Sequence, residues 1–154
     1  MKILVLSDSH GNEAFLQMIL QRERNCNMII HLGDGADDIM MTMMAYTAQK
    51  TVYLTKGNCD PAAYGYAEKH IIPAEGKKLI ACHGHRFNVK MGLDALYFEG
   101  LKEKADACLY GHTHIANIEY SNGILLFNPG AVKNGRYGIL TINNGEITPE
   151  LKSI

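Results

Sequence analysis

Lys2-Ile3-Leu4-Val5-Leu6-Ser7-Asp8-Ser9-His10-Gly11 is an apolar, partly β-branched run that stops at a polar turn. Such a run is what a strand buried on both faces requires, and the turn places an aspartate and a histidine just past its end. Ala14, Phe15, Met18, Ile19 and Arg22 follow with the 3.6-residue recurrence of a helix that buries one face, and Asn25 to Asn27 stop it. Met28 to Leu32 repeats the apolar run and ends in Gly33-Asp34-Gly35. Ile39, Met40, Met43 and Met44 then recur at helical spacing up to about Ala48. Thr51 to Leu54 is a third strand, closed by Lys56-Gly57-Asn58-Cys59-Asp60-Pro61, whose glycine and proline break regular structure.

Strand, helix, strand, helix, strand is the alternation of a parallel sheet with helices on its faces. The second half reads differently. Lys69 to Ile72 and Lys77 to Ala81 flank Pro73-Ala74-Glu75-Gly76 as a hairpin, and Leu93 to Leu101 is a helix. Leu109-Tyr110, Ile118 to Tyr120, Ile124 to Phe127, Tyr137 to Ile142 and Ile147 to Leu151 are short strands, with Asn-Gly turns at Asn122-Gly123 and Asn144-Gly145. This half is expected to be a meander. Two packed sheets with helices outside, in one domain spanning residues 1–154, accommodate both halves without a linker or repeat.

Composition narrows the partners. A net charge of −1 gives no basic footprint for a nucleic acid, so none is expected as a partner. The first apolar run, Ile3 to Leu6, is shorter than a signal peptide's core. No stretch approaches the roughly 20 apolar residues that span a bilayer, so a soluble cytoplasmic protein without a membrane partner is expected. Cys26, Cys59, Cys82 and Cys108 form no C-x-x-C pair, which argues for reduced thiols and against a zinc ribbon.

The polar residues that follow the apolar runs carry the chemistry. Asp8-x-His10, Gly33-Asp34, Gly57-Asn58, His83-Gly84-His85 and Gly111-His112-Thr113-His114 each stand at a strand end, and they hold five of the seven histidines. In open α/β sheets ligands bind at the carboxyl edge of the strands, so five such ends converge on one crevice. Two aspartates, an asparagine and several histidines make a mixed oxygen and nitrogen ligand set. That set suits manganese first, with nickel, iron or zinc as alternatives, rather than calcium. Seven ligands exceed one tetrahedral ion, and a carboxylate such as Asp34 can bridge a pair of cations of the kind that drives in-line displacement at phosphorus. His31 and His70 fall outside these motifs. His31 is read as a packing or supporting residue, and His70 as an ordinary strand residue.

The order Asp-x-His, Gly-Asp, Gly-Asn-x-Asp, a lone His, then Gly-His-x-His resembles the calcineurin-like metallophosphoesterases, and within them the small single-domain prokaryotic phosphodiesterases. The resemblance runs from Asp8 to His114 and reaches Asn128-Pro129-Gly130, with Ala131 where a serine is common. It implies a four-layer α/β/β/α sandwich with two mixed sheets. It also implies that Asp8, His10 and His114 bind one divalent transition-metal ion, Asn58, His83 and His112 a second, and that Asp34 bridges them. His85 and Arg86 receive no assigned role.

Many members of that family carry a histidine in the third position of Gly-Asn-x-Asp, placed to protonate the leaving oxygen. Here Cys59 stands there. A thiol with a reference pKa near 8.5 is a poor acid at neutral pH, so good leaving groups are favoured. The expected activity is a dinuclear-metal phosphoesterase, foremost a phosphodiesterase acting on small-molecule phosphodiesters by attack of a hydroxide held between the ions. Asn58 and Cys59 are its candidate catalytic residues. The alternative is a catalytically inactive scaffold of the same fold acting through protein partners, like the retromer subunit that is similar to these enzymes. In that subunit the positions matching Asp34 and Asn58 carry other side chains, whereas this chain keeps both. Self-association into a homo-oligomer is left open, and a methionine-rich helix, Met40 to Met44, offers either core packing or an adaptable interaction face.

Overall fold

A computed structural model describes residues 1–43, 46, 50–62 and 65–154. Strands β1 (Lys2–Leu6), β2 (Met28–His31) and β3 (Thr51–Leu54) run parallel, with α1 (Glu13–Arg22) and α2 (Ala36–Met43) between them. Asn12 caps α1 by accepting the Phe15 N–H at 3.1 Å, which satisfies one of the open donors of its first turn. The expected continuation of α2 to about Ala48 lies outside the described residues, as does the reading of the Met40–Met44 side chains.

The second half forms β4 (Lys69–Ala74), β5 (Lys77–Cys82), α3 (Asp94–Glu103), β6 (Ala107–Leu109), β7 (Asn117–Ser121), β8 (Ile124–Asn128), β9 (Arg136–Asn143) and β10 (Glu146–Ser153). It is not the expected meander. β5, β6 and β8 are parallel neighbours, while β4 and β7 pair antiparallel at the two edges. The reason is the length between β5 and β6: a parallel pair needs a crossover of a dozen or more residues, and α3 supplies it. β9 and β10 leave this sheet altogether and join the first, where β9 pairs antiparallel with β1. The result is two five-stranded sheets, β10-β9-β1-β2-β3 and β4-β5-β6-β8-β7.

Alternation along the strands builds the layers. Ile3 and Val5 of β1 face the second sheet, where Ile72, Leu79, Leu109 and Phe127 meet them. Leu4 and Leu6, on the opposite face, pack against Leu16, Ile19 and Leu20 of α1 and Ile39 of α2. On the far side Ile80, Cys108 and Leu126 pack with Leu96 of α3. Helices, sheet, sheet and helix therefore stack as the α/β/β/α sandwich that the resemblance implies. All the parallel strands point their carboxyl ends to one side, and the chemistry-bearing loops leave from there.

Candidate metal centre

The loops at that edge hold their ligand candidates in an unusual backbone conformation. Asp8, His10, Asp34, His112 and His114 have φ between 44° and 67°, the left-handed region that L side chains seldom adopt. Such conformations persist only where the surroundings enforce them, and two glycines show how tight those surroundings are. A Cβ on Gly57 would stand 2.1 Å from Asp34 Oδ1, and one on Gly111 would stand 1.9 Å from Ser7 Oγ. The glycines of Gly-Asn and Gly-His are thus required for close approach, independently of any turn.

All seven side chains singled out in the sequence come together. Asp8, His10 and His114 offer ligand atoms within 4.8 Å of one another, and so do Asp34, His83 and His112. His114 Nε2 lies 3.1 Å and His10 Nε2 3.8 Å from Asp8 Oδ1. In the second group His83 Nε2 lies 3.1 Å from Asn58 Oδ1, and its ring meets His112 edge-on at 5.0 Å. Asp34 Oδ2 faces both groups, 3.8 Å from His10 Nε2 and 3.4 Å from His83 Nε2. Cys59 joins His10 and Asp34 in a third such group, and Asp8 Oδ1 is also 3.9 Å from His83 Nε2, so the two groups adjoin.

Burial and mutual charge set the protonation of the cluster in its metal-free form, with Asp34 and His83 paired. Burial alone would raise the Asp34 pKa, but hydrogen bonding from His83 and the Cys59 amide outweighs it and holds the carboxyl well below the usual range. Burial pushes His83 down, yet its contact with Asp34 and the Asp8 charge carry it above the ordinary imidazole value. His112 and His114 are lowered, chiefly by burial, and stay neutral with a lone pair to offer. Asp8 decides the fit. Its Oδ1 is buried among these imidazoles, with His114 Nε2 at 3.1 Å but outside hydrogen-bond geometry, an arrangement that costs about 1–3 kcal/mol unless a proton or cation satisfies it. Two carboxylates, four imidazoles and an amide oxygen gathered around a buried carboxylate oxygen fit divalent metal ions.

Residues to which sequence reasoning gave no task hold this set in place. Asp60 accepts from four backbone N–H groups: those of Asp34 and Gly57 on Oδ2, at 2.8 and 2.7 Å, and those of Gly35 and Ala36 on Oδ1, at 2.8 and 3.2 Å. One carboxylate thereby ties the loop after β2 to the loop after β3 and sits at the N-terminus of α2, where negative charge is favoured. His31 accepts the Gly33 N–H on Nδ1, leaving Nε2 to donate to Ser9 Oγ at 3.3 Å. Ser9 Oγ donates onward to Asp38 Oδ2, which also accepts the Gly11 N–H, each at 2.7 Å. Of the packing and supporting readings left open for His31, these hydrogen bonds give it a supporting contact with the loops after β1 and β2. Ser7 Oγ donates to Asp8 Oδ2 at 2.6 Å, and His83 Nδ1 donates to Leu32 O at 2.8 Å, which orients the ring so that Nε2 faces the cluster. Asn128 Nδ2 donates to Gly111 O and Thr113 Oγ1, so the Asn128-Pro129-Gly130 turn anchors the His112–His114 loop.

Cys59 is exposed beside Asp34, and Asn58 Nδ2 approaches its Sγ at 3.2 Å. Burial, then the Asp34 carboxylate, raise its pKa, so the thiol is a weaker acid than usual and is not a thiolate at neutral pH. His85 packs 5.4 Å from the His83 ring, with Nε2 3.8 Å from Glu68 Oε2. Arg86 is held by Glu68 Oε1 at 2.9 Å. His70 donates from Nε2 to Leu54 O at 2.9 Å, linking β4 to the end of β3.

Comparison with known proteins agrees with this geometry. The family model of the calcineurin-like phosphoesterase superfamily domain matches residues 1–150, and the chain belongs to that superfamily. It is 34% identical to a probable metallophosphoesterase of Bacillus subtilis, YsnB, over 96% of this chain and 88% of that one. It is 27% identical to the Escherichia coli phosphodiesterase YfcE, over 91% and 87% of the two chains. Among solved structures, a conserved uncharacterized protein of Streptococcus pneumoniae described as a predicted phosphoesterase superposes with a TM-score of 0.79 at 26% identity. That match covers 99% of this chain and 88% of the other. Vps29 of Entamoeba histolytica, at 21% identity and a TM-score of 0.78 over 100% and 99% of the chains, shares the fold. Among the described residues no helix is long and apolar enough to cross a membrane.

Proposed function

We propose that this chain, as one domain, is a cytoplasmic phosphodiesterase that hydrolyses small phosphodiesters with two divalent transition-metal ions, manganese foremost. The observation that carries the reading is the convergence of seven ligand side chains from five strand ends around the unsatisfied Asp8 Oδ1. Asp8, His10 and His114 would hold one ion and Asn58, His83 and His112 the other, with the Asp34 carboxylate shared between the two groups. Such ions, when bound, supply Lewis acidity that lowers the pKa of water and neutralises charge on phosphoryl oxygens. The chain's own groups orient this chemistry. Leu32 O aims His83, Asp60 fixes the loops that carry Asp34 and Asn58, and the exposed Asn58 amide is placed to donate to a phosphoryl oxygen.

Cys59 sets the substrate preference. Its thiol is too weak an acid to assist an alkoxide, so esters with acidic leaving groups are turned over and alkyl monoesters are not favoured. The scaffold reading gains nothing from the site, because Asp34 and Asn58 are both present and both face the histidines. The test is hydrolysis of bis(4-nitrophenyl) phosphate by manganese-loaded protein, compared with an alkyl phosphomonoester at equal concentration. Diester hydrolysis that a chelator abolishes and manganese restores is expected. Faster turnover of the alkyl monoester would contradict the assignment.

A further inference from the structure

A cleft of about 420 Å³ lies against the loop that carries Thr113 and Ile115, and none of the seven ligand candidates lines it. Its volume is in the range of small-ligand sites. Val89, Leu93 and Ile115 give it aliphatic walls, and Tyr110 closes it with a ring whose hydroxyl accepts a hydrogen bond from Asn117 at 3.1 Å. Thr113, another wall, stands between His112 and His114. Val89 packs directly on Gly84, the residue after His83, since a Cβ there would come within 2.8 Å of Val89 Cγ2. The cleft is therefore built on the same backbone segments that present His83, His112 and His114.

Two further features give it a direction. Lys90, on the cleft wall, is exposed. Ile115 is 71% exposed, an apolar side chain left open to water one residue beyond a ligand candidate. A phosphodiester carries one negative charge and two ester groups. With the phosphoryl group on the ligand cluster, an ester group is left for the apolar walls, which share the loop that carries His112 and His114.

We propose that this cleft receives one ester group of the substrate, an aromatic group, and so selects phosphodiesters with an aromatic arm over those with small alkyl arms. The assignment rests on the phosphodiesterase reading and deepens it. Burying one ring against Val89, Leu93 and Ile115 corresponds to a preference of about tenfold over a methyl group.

A non-hydrolysable pair of anions tests binding apart from catalysis. Zinc-loaded protein with labelled Ile, Leu and Val methyl groups is titrated with diphenylphosphinate and with dimethylphosphinate. Shifts at Val89, Leu93 and Ile115 with the diphenyl anion, and binding about tenfold tighter than the dimethyl anion, are expected. In parallel, the ratio of kcat/KM for bis(4-nitrophenyl) phosphate to that for methyl 4-nitrophenyl phosphate should fall about fivefold in Ile115→Asp. It should hold in Phe98→Ser, an exposed apolar position on α3. Equal binding of the two anions without shifts at the three methyl groups, or a ratio unchanged in Ile115→Asp, overturns the proposal. If the shifts appear while neither ester is hydrolysed, the cleft assignment stands and the phosphodiesterase reading falls.

Discussion

The two ends of the sandwich both use left-handed residues, for opposite reasons. At the end away from the ligands, hairpins turn through Glu75-Gly76, Asn122-Gly123 and Asn144-Gly145, each with positive φ at both positions. Those turns follow local chemistry: asparagine and glycine tolerate the conformation, and its twist matches that of the flanking strands. At the ligand end the left-handed residues are Asp8, His10, Asp34, His112 and His114, and the structure around them enforces it. Asp60, Ser9, Asp38 and Asn128 supply the enforcing hydrogen bonds. Turns that any sequence finds easy lie at one edge, and conformations justified only by their side chains lie at the other.

The comparison breaks most visibly at Asp34. Asp34→Asn removes the carboxylate that faces both ligand groups and should lower phosphodiesterase kcat/KM by about 10³-fold, at the upper end of what one electrostatic contact contributes. Gly57→Ala keeps every ligand but drives a Cβ into Asp34 Oδ1. A loss of about 10²-fold is expected from that displacement alone, with the second metal equivalent bound more weakly. At the other end, Asn144→Ala should cost about 1 kcal/mol of stability by thermal or urea unfolding and leave kcat/KM unchanged. Equal effects of Gly57→Ala and Asn144→Ala on activity would erase the distinction.

A pH titration sharpens it. Burial holds the His31 pKa down to about 4, against 6.5 when exposed. Below pH 6.5 the unfolded chain takes a proton that the folded chain refuses, so stability is full above 6.5 and is lost as pH falls toward 4. The loss is on the order of 3 kcal/mol, read by urea unfolding of metal-free protein. In His31→Gln that portion of the acid loss should vanish. The smallest effect belongs to Cys59→Ala: kcat/KM should change by less than about tenfold, short of what a matched general acid provides.

The convergence of the ligand candidates was legible in the sequence because each follows an apolar run, and the run fixes which end of which strand the side chain leaves. The Asn-Gly turns were legible for the same local reason. Strand order was not: nothing in Tyr137 to Ile142 says that β9 leaves the second sheet to lie beside β1, since pairing depends on which faces meet after collapse. Asp60 was visible within Gly-Asn-x-Asp, but its four backbone partners come from two loops that touch only in the fold. The cleft was hidden for a similar reason, as Val89, Leu93 and Ile115 share no period.

Metal stoichiometry tests the central claim most directly. Protein stripped with chelator, reloaded with manganese and freed of loosely bound ions should retain about two equivalents per chain, and Asp8→Ala about one, because the proposed centre gives Asp8 to only one of the two ions. Retention near zero in the unaltered protein would contradict the centre assigned to Asp8, His10, Asp34, Asn58, His83, His112 and His114.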